Sequence, residues 1–187
     1  MPAELTGNAR TILDAEQAGR IIRALAEAID ARVPTHELLL VGIRRRGDLL
    51  AAHIAAAVAE RRGAEVPTGS LDITLYRDDF AQVGPRPLIG TTRLPGEITG
   101  RHLVVVDDVL HTGRTIRAAL NELTDFGRAR RIELCVLIDR GGRELPIQPD
   151  YVGRHIEVPP GMEVSVRLPE LDGALGVDLV PLTPGGA

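Results

Sequence analysis

The chain has 187 residues, of which 44% are hydrophobic and 26% are charged, and its formal net charge is −4. This length predicts one domain with a sizeable core, and the acidic balance excludes a general attraction to nucleic acid, so that any RNA surface must be a local basic patch. The single cysteine excludes an internal disulfide, and without a signal-peptide pattern or an apolar run near the roughly 20 residues of a membrane span, we expect a cytoplasmic protein.

The first predicted element is a helix that follows a loose lead-in at residues 1–13. Asp14, with Gln17 three positions later, forms a capping-box pattern at its start. Arg20 and Arg23 fall on the polar face, where they are either ordinary surface charge or a surface for a polyanion. The apolar positions that repeat at helical spacing are Ala18, Ile21, Ile22, Leu25 and Ile29.

A buried strand is predicted at residues 38–43, where only apolar residues and one glycine occur. Residues 44–47 (Arg-Arg-Arg-Gly) follow it, and a second helix then runs to a C-cap at Gly63. At the carboxyl end of a strand, beside a glycine, such a basic loop favours anion binding over solvated charge. A pyrophosphate group fits this loop.

Two weaker patterns come next. Residues 71–75 alternate apolar and polar side chains, which predicts a half-exposed strand. Residues 80–100 contain three prolines and four glycines, and we interpret the stretch from about 76 to 100 as a flexible loop that could cover an active site.

The central stretch runs from three valines at 104–106 into Asp107 and Asp108, and then into Thr-Gly-Arg-Thr at 112–115. This order predicts a strand, a loop and a helix, with the acids at the strand end where open α/β sheets bind ligands. Carboxylates accept hydrogen bonds from sugar hydroxyls, and a helix N-terminus binds phosphate. Neighbouring acids also suit a receiver domain or a metal-dependent phosphatase, but the phosphate-binding loop favours a sugar phosphate.

The last elements are a strand at 132–138, which includes Cys135 as a buried thiol, and late strands near 164–168 and 177–179. The alternation of strands and helices predicts a mainly parallel sheet with helices on both faces. Because crossovers between parallel strands are right-handed, the loops that follow the strands should meet on one rim. The loops concerned are 44–47, 107–115 and 139–143.

The string at 104–116 resembles the phosphoribosyl pyrophosphate (PRPP) signature of type I phosphoribosyltransferases. Further segments at 71–79, 136–147 and 150–153 resemble the PyrR family, pyrimidine-operon attenuators that are also uracil phosphoribosyltransferases. The likeness covers roughly residues 12–180. It implies one domain over 1–187 with the type I phosphoribosyltransferase fold: a central, mainly parallel α/β sheet, a small base-binding hood near 139–162 and the flexible loop.

The resemblance also implies a function. The family transfers the phosphoribosyl group of PRPP to uracil, giving UMP and pyrophosphate, with Mg²⁺ carried by PRPP and no dedicated protein metal site. UMP then promotes binding of pyrimidine-operon leader RNA. We expect a homodimer or larger homo-oligomer without membrane association. Two alternatives stay open: a phosphoribosyltransferase for another base that binds no RNA, and an RNA-binding attenuator with vestigial enzyme activity.

Residue roles follow from the same likeness. The expected catalytic residues are Asp107, Asp108 and Arg77, the two acids holding the ribose hydroxyls. The expected PRPP-binding residues are Arg45, Arg46, Gly47, Val109, Leu110, His111, Thr112, Gly113, Arg114 and Thr115. Base binding is expected at Asp139, Arg140 and Arg143, and RNA binding at Arg20, Arg23, Arg143 and Arg154.

Several positions depart from the family pattern. His111 stands where the family usually has tyrosine, and Gly142 replaces the usual histidine of the hood. Ile22 and Ala26 are interpreted as replacements for a threonine and a histidine that are linked to RNA binding in relatives. These last two departures weaken the expectation of RNA binding more than that of the enzyme activity.

Overall fold

The computed structural model describes residues 9–34, 36–76 and 91–182, which form eight strands, four α-helices and one 3-10 helix (Ile73–Tyr76). The strands are β1 (Arg10–Leu13), β2 (Leu38–Ile43), β3 (Thr68–Leu71), β4 (His102–Leu110), β5 (Arg131–Asp139), β6 (Tyr151–His155), β7 (Met162–Arg167) and β8 (Gly176–Pro181). The helices are α1 (Ala15–Arg32), α2 (Arg46–Arg62), α3 (Arg114–Thr124) and α4 (Pro169–Asp172).

Five strands form a parallel sheet in the order β3-β2-β4-β5-β6. Its middle strands are apolar on both faces because helices cover both sides. The α1 and α2 helices share one buried cluster with the sheet, and α3 packs into the other. Since every strand runs the same way, the loops after β2, β4 and β5 emerge at one edge, as the sequence predicts.

The start of α1 is the predicted capping box. Asp14 Oδ1 accepts a hydrogen bond from the Gln17 amide at 2.8 Å, and Gln17 Oε1 accepts one from the Asp14 amide at 3.0 Å. The apolar face of the helix is buried, and that face includes Ile22 (6% exposed) and Ala26 (0% exposed). Both residues lie in the core of this chain, and the interpretation that they replace RNA-binding residues of relatives stays a prediction.

A second, antiparallel sheet joins the two ends of the described chain in the order β1-β8-β7. The prediction of a loose lead-in at 1–13 is wrong for residues 10–13, because they form β1 beside β8. Thr11 Oγ1 also donates to Asp178 Oδ1 at 2.7 Å. Leu13, Val166 and Val177 bring this sheet onto the α1–α2 side of the core.

The strand predicted at 71–75 is displaced. The β3 strand ends at Leu71, and the alternating residues after it form the 3-10 helix. The Asp72 carboxylate accepts a hydrogen bond from the Thr74 amide at 3.1 Å, and this local bond turns the chain away from the sheet. The short strand β6 was not predicted. Among the described residues, no helix has both the length and the apolar character needed to cross a membrane.

Candidate active site at the carboxyl edge of the sheet

Asp107 and Asp108 lie near the end of β4, at the centre of the edge. Asp107 is 7% exposed, and its Oδ1 accepts a hydrogen bond from the Asp108 amide at 3.0 Å. Asp108 Oδ1 accepts one from the Val109 amide at 2.9 Å. Burial, followed by repulsion from Asp108, raises the pKa of Asp107 well above its usual range, and burial also raises the pKa of Asp108. The pair is thus short of hydrogen-bond donors, which sugar hydroxyls can supply.

The phosphate loop (residues 111–115) connects β4 to α3. Gly113 is the N-cap of α3 with φ +92°, a conformation that favours glycine. The first amide groups of α3 therefore point out of the helix end beside the two acids. Thr112, which adds a hydroxyl, accepts a long hydrogen bond of 3.4 Å from the Arg114 amide. A phosphate group fits these donors.

The arginine loop (residues 44–47) brings positive charge to the same edge. Arg46 Nε lies 4.0 Å from Asp108 Oδ2, and Arg46 Nη2 lies 3.2 Å from Asp172 Oδ1. Arg44 and Arg45 are exposed and joined by a cis peptide bond. Asp172, at the end of α4, is a site neighbour that sequence reasoning missed, because nothing in its local pattern marks it.

Gly47 holds the arginine loop against β4. An ideal Cβ at this position would lie 2.4 Å from the Val106 carbonyl oxygen and 3.2 Å from Asp107 Cα. We expect Gly47→Ala to raise the KM for PRPP more than about tenfold and to lower the free energy of unfolding by about 2 kcal/mol, because only backbone could move aside. Kinetics and denaturant melts test this. Gly19→Ala in α1, where the nearest atom is 3.7 Å away, is the matched control: it should leave the KM unchanged and raise the free energy of unfolding by up to about 1 kcal/mol, because alanine is the better helix former.

The base loop (residues 139–148) follows β5 and is held from within by one arginine. Arg143 donates to Asp139 Oδ2 at 2.7 Å, to the Ile147 carbonyl at 2.9 Å and to the His111 carbonyl at 3.0 Å. Burial alone would raise the pKa of Asp139, but the Arg143 guanidinium and the Gly141 amide outweigh it and lower that pKa. Asp139 therefore stays ionised as the anchor of the loop.

An open cavity of about 460 Å³ lies between the base loop and residues 155–157 at the end of β6, a volume within the range of small-molecule sites. Arg140 Nε is buried and has no hydrogen-bond acceptor among the described residues. It is thus a donor that a bound ligand could satisfy. Residues that line the cavity include Asp139, Arg140, Gly141, Gln148, His155 and Ile156.

His111 and Gly142, two positions that depart from the family pattern, touch each other. The His111 ring lies over Gly142 at the junction of the phosphate and base loops. Burial, Arg140 and Arg143 lower the pKa of His111, and Glu144 opposes this effect only in part. The lowered pKa favours the neutral form of the imidazole.

The structure thus brings the predicted phosphate, arginine and base loops together. Arg77 lies outside the described residues. Arg20 and Arg23 lie on α1, and Arg154 lies near the carboxyl end of β6, beside Ile138 of β5. Cys135 is fully buried, and burial raises the pKa of its thiol, as expected for a structural cysteine.

Known proteins are similar in sequence to this chain over most of its length. The sequence model described as "Phosphoribosyl transferase domain" matches residues 8–172. "Bifunctional protein PyrR" of Roseiflexus sp. (strain RS-1) is 52% identical over 176 residues, covering 93% of this chain and 96% of that protein. The chain belongs to the PyrR family. The PyrR protein of Chloroflexus aurantiacus is 50% identical over 182 residues, covering 97% and 98%.

Solved structures agree with this PyrR assignment at the level of the fold. A hypoxanthine phosphoribosyltransferase from Staphylococcus aureus has a TM-score of 0.68 at 19% identity and covers 94% of this chain and 93% of its own. That of Trypanosoma cruzi has a TM-score of 0.65 at 17% identity, covering 92% and 96%. Three predictions are confirmed: the chain is a member of the PyrR family, it has the type I phosphoribosyltransferase fold, and it is a phosphoribosyltransferase. The roles of individual residues stay predictions.

Proposed function

We propose that this edge of the sheet transfers the phosphoribosyl group of PRPP to uracil, giving UMP and pyrophosphate. The observation that carries the proposal is the meeting of the three loops: acids for a ribose, a helix N-terminus for a phosphate and arginines for a pyrophosphate. The open cavity beside the base loop adds a place for the base. Each loop alone is common, and their combination matches the parts of this substrate.

The ribose 5-phosphate part of PRPP would lie across β4 and α3. Asp107 and Asp108 accept hydrogen bonds from the 2- and 3-hydroxyls, which relieves the electrostatic cost of two adjacent buried carboxylates. The amides and hydroxyls of residues 112–115 bind the 5-phosphate, favoured by the partial positive charge of the helix start. The anomeric carbon is thereby held between the arginine and base loops.

The pyrophosphate part would lie on the arginine loop. Mg²⁺ usually binds through one or two carboxylates together with substrate phosphates, and the oxygens of Asp107 and Asp108 fit that donor set. When bound, the ion neutralises negative charge on the pyrophosphate. The guanidinium groups of Arg45 and Arg46 stabilise the remaining charge as it grows.

The reaction breaks the bond between the anomeric carbon and the pyrophosphate oxygen and forms a bond from that carbon to uracil N1, which loses its proton to solvent. The sugar becomes cation-like between these events. The carboxylates of Asp107 and Asp108 favour that charge, and the arginines favour the departing anion. No covalent intermediate with a side chain is needed.

Uracil would be recognised in the base loop. The buried Arg140 Nε can donate to a uracil carbonyl, and the neutral His111 ring closes one side of the loop. A site built around a hydrogen bond to the base discriminates strongly against a base that leaves its donor unpaired. The direct test supplies PRPP and Mg²⁺ with labelled uracil, hypoxanthine or guanine in competition. UMP as the main product supports the proposal, and preferential purine nucleotide formation would favour the other-base alternative.

We further propose that UMP promotes binding of pyrimidine-operon leader RNA by a basic surface on α1 and β6. These elements touch, since a Cβ on Gly153 would lie 2.5 Å from Ile21 Cγ2. Arg20, Arg23 and Arg154 are exposed on them. Arg143 forms its hydrogen bonds within the base loop. We therefore assign it the role of stabilising that loop rather than of contacting RNA directly.

Arg23→Ala is expected to weaken leader-RNA binding about fivefold and to reduce its salt dependence by about one unit of slope, because one phosphate contact is lost. Filter binding with and without UMP across a salt series measures both. Arg128→Ala, an exposed arginine beyond α3 on the other face of the sheet, is the control and should have no effect. RNA binding by the wild type that is independent of UMP and of RNA sequence would contradict the regulatory half.

The proposal also includes a location and an assembly. PRPP and UMP carry several charges and do not cross a lipid bilayer unaided, so an enzyme that uses them works in the cytoplasm where they are made. A homodimer would double the basic surface that an RNA hairpin could contact. Sedimentation at micromolar concentration tests the assembly, and a monomer with or without UMP would contradict it.

A further inference from the structure

The His111 side chain fills the space above Gly142. An ideal Cβ on Gly142 would lie 2.8 Å from His111 Nε2 and 2.9 Å from its Cδ2, closer than real side-chain carbons approach a ring. The imidazole therefore occupies the volume that any side chain at position 142 would need. Neighbouring Gly141 has nearly the same backbone, with φ +68° against +72° for Gly142, but its Cβ would meet nothing within 4 Å.

This contact lies where the phosphate and base loops are already joined by backbone hydrogen bonds. The amides of Glu144 and Leu145 donate to the Thr112 carbonyl at 3.0 and 3.2 Å, and the Arg140 amide donates to the Leu110 carbonyl at 3.0 Å. The Arg143 guanidinium donates to the His111 carbonyl at 3.0 Å. These bonds hold the backbones of the two loops together at the point where the His111 ring faces Gly142.

We propose that His111, seated on Gly142, is a positioning residue that couples the base loop to the phosphate loop, so that a nucleotide's base and 5-phosphate are bound cooperatively. The inference rests on the proposed function and deepens it. Two loops that are held in register before binding lose less conformational freedom when a nucleotide bridges them. A ligand that contacts the phosphate loop alone gains nothing from this coupling.

The charges around the ring agree with this role. Arg140 and Arg143 of the base loop and Glu144 next to them are the charged groups that influence His111. A neutral imidazole can rest beside two guanidinium groups without repulsion. A permanent cation at position 111 would push the base loop away.

The glycine pair provides the test. Gly141→Ala and Gly142→Ala impose similar left-handed backbone strain, but only the second displaces His111. We expect UMP to bind about tenfold more weakly to Gly142→Ala than to Gly141→Ala, and affinity for ribose 5-phosphate, which lacks a base, to differ by less than about twofold between them. Adding Gly142→Ala to His111→Ala should cost less UMP affinity than Gly142→Ala costs in the wild type, because the backbone strain remains but no ring is left to displace.

Equal UMP affinities for the two glycine variants would overturn the inference. So would a double variant whose fold-loss in UMP affinity equals the product of the fold-losses of His111→Ala and Gly142→Ala. Amide hydrogen exchange of Glu144 and Leu145 gives a readout without ligand: exchange should be about tenfold faster in Gly142→Ala than in Gly141→Ala. Equal exchange in the two variants would also overturn it. If the wild type neither makes nor binds UMP, the proposed function fails, while the exchange result still decides whether His111 couples the loops.

Discussion

Replacement of Asp107 and Asp108 together by alanine is expected to abolish UMP formation while the protein stays folded. In the proposed reaction the two carboxylates accept hydrogen bonds from the ribose and favour its cation-like state, so we expect turnover to fall by about 10³-fold or more. The fold should persist because, among the residues that the structure describes, neither carboxylate pairs with a buried cation: Arg46 Nε lies 4.0 Å from Asp108 Oδ2, and its side chain is partly exposed. Near-normal rates in the double variant would refute the ribose assignment.

The raised pKa of Asp107 gives this prediction a second, thermodynamic readout. The pKa of Asp107 is higher in the folded chain than in the unfolded one, so the protonated carboxyl favours folding. This contribution to stability is complete below the unfolded pKa, about 3.9. It is lost as the pH rises through the folded pKa. Asp107→Asn removes the group that must ionise. Its melting temperature should therefore exceed that of the wild type, and the difference should be larger at pH 8 than at pH 5. A lower melting temperature at pH 8 would contradict the account of this site.

Glu133→Ala is expected to have the opposite pair of effects: a large loss of stability with little loss of activity. Glu133 is 3% exposed in β5, toward the other end of the sheet. Tyr151 OH donates to its Oε2 at 2.6 Å, His102 Nε2 lies 3.1 Å from the same oxygen, and Arg131 pairs with Oε1 at 2.9 Å. Its removal leaves buried donors unpaired and should cost about 3 kcal/mol, or roughly 10 °C in melting temperature.

The stability that Glu133 provides depends on pH with the opposite sign to that of Asp107. Burial would raise the pKa of Glu133, but the hydrogen bond from Tyr151, the nearby His102 ring and the charge of Arg131 outweigh it, and the pKa is lowered. The stability from Glu133 is therefore complete above its unfolded pKa, about 4.3, and is lost as pH falls through the folded pKa. The melting difference between wild type and Glu133→Ala should narrow below that pH. Unchanged stability at pH 7 would mean that the network is not a stabilising one.

The sequence predicted the centre of the molecule well because its signals are local. The run into Asp107 and Asp108 marks a buried parallel strand and its ligand-binding end, and the glycine and threonine after it mark the start of α3. The capping box at Asp14 is equally local, since both of its hydrogen bonds join residues three apart. The meeting of the loops then followed from the handedness of the crossovers.

The elements that were missed depend on distant partners. Residues 10–13 form a strand because they pair with β8, for example Arg10 with Leu179. No pattern within these four residues reveals a partner so distant in sequence. The β6 strand is short and contains Gly153, which is needed because α1 approaches it closely. Helical periodicity, by contrast, places Ile22 on the apolar face of α1, and the structure buries it there. The contact of His111 with Gly142 joins residues 31 positions apart and needed the structure.

The most direct test of the central claim is a crystal structure of the protein with UMP. We predict the 5-phosphate on the amides of residues 112–115, the ribose hydroxyls within hydrogen-bond distance of Asp107 and Asp108, and the uracil ring in the cavity of the base loop with a carbonyl at Arg140. A nucleotide bound elsewhere, or one whose phosphate lies on the phosphate loop while its base points away from residues 139–148, would contradict the account.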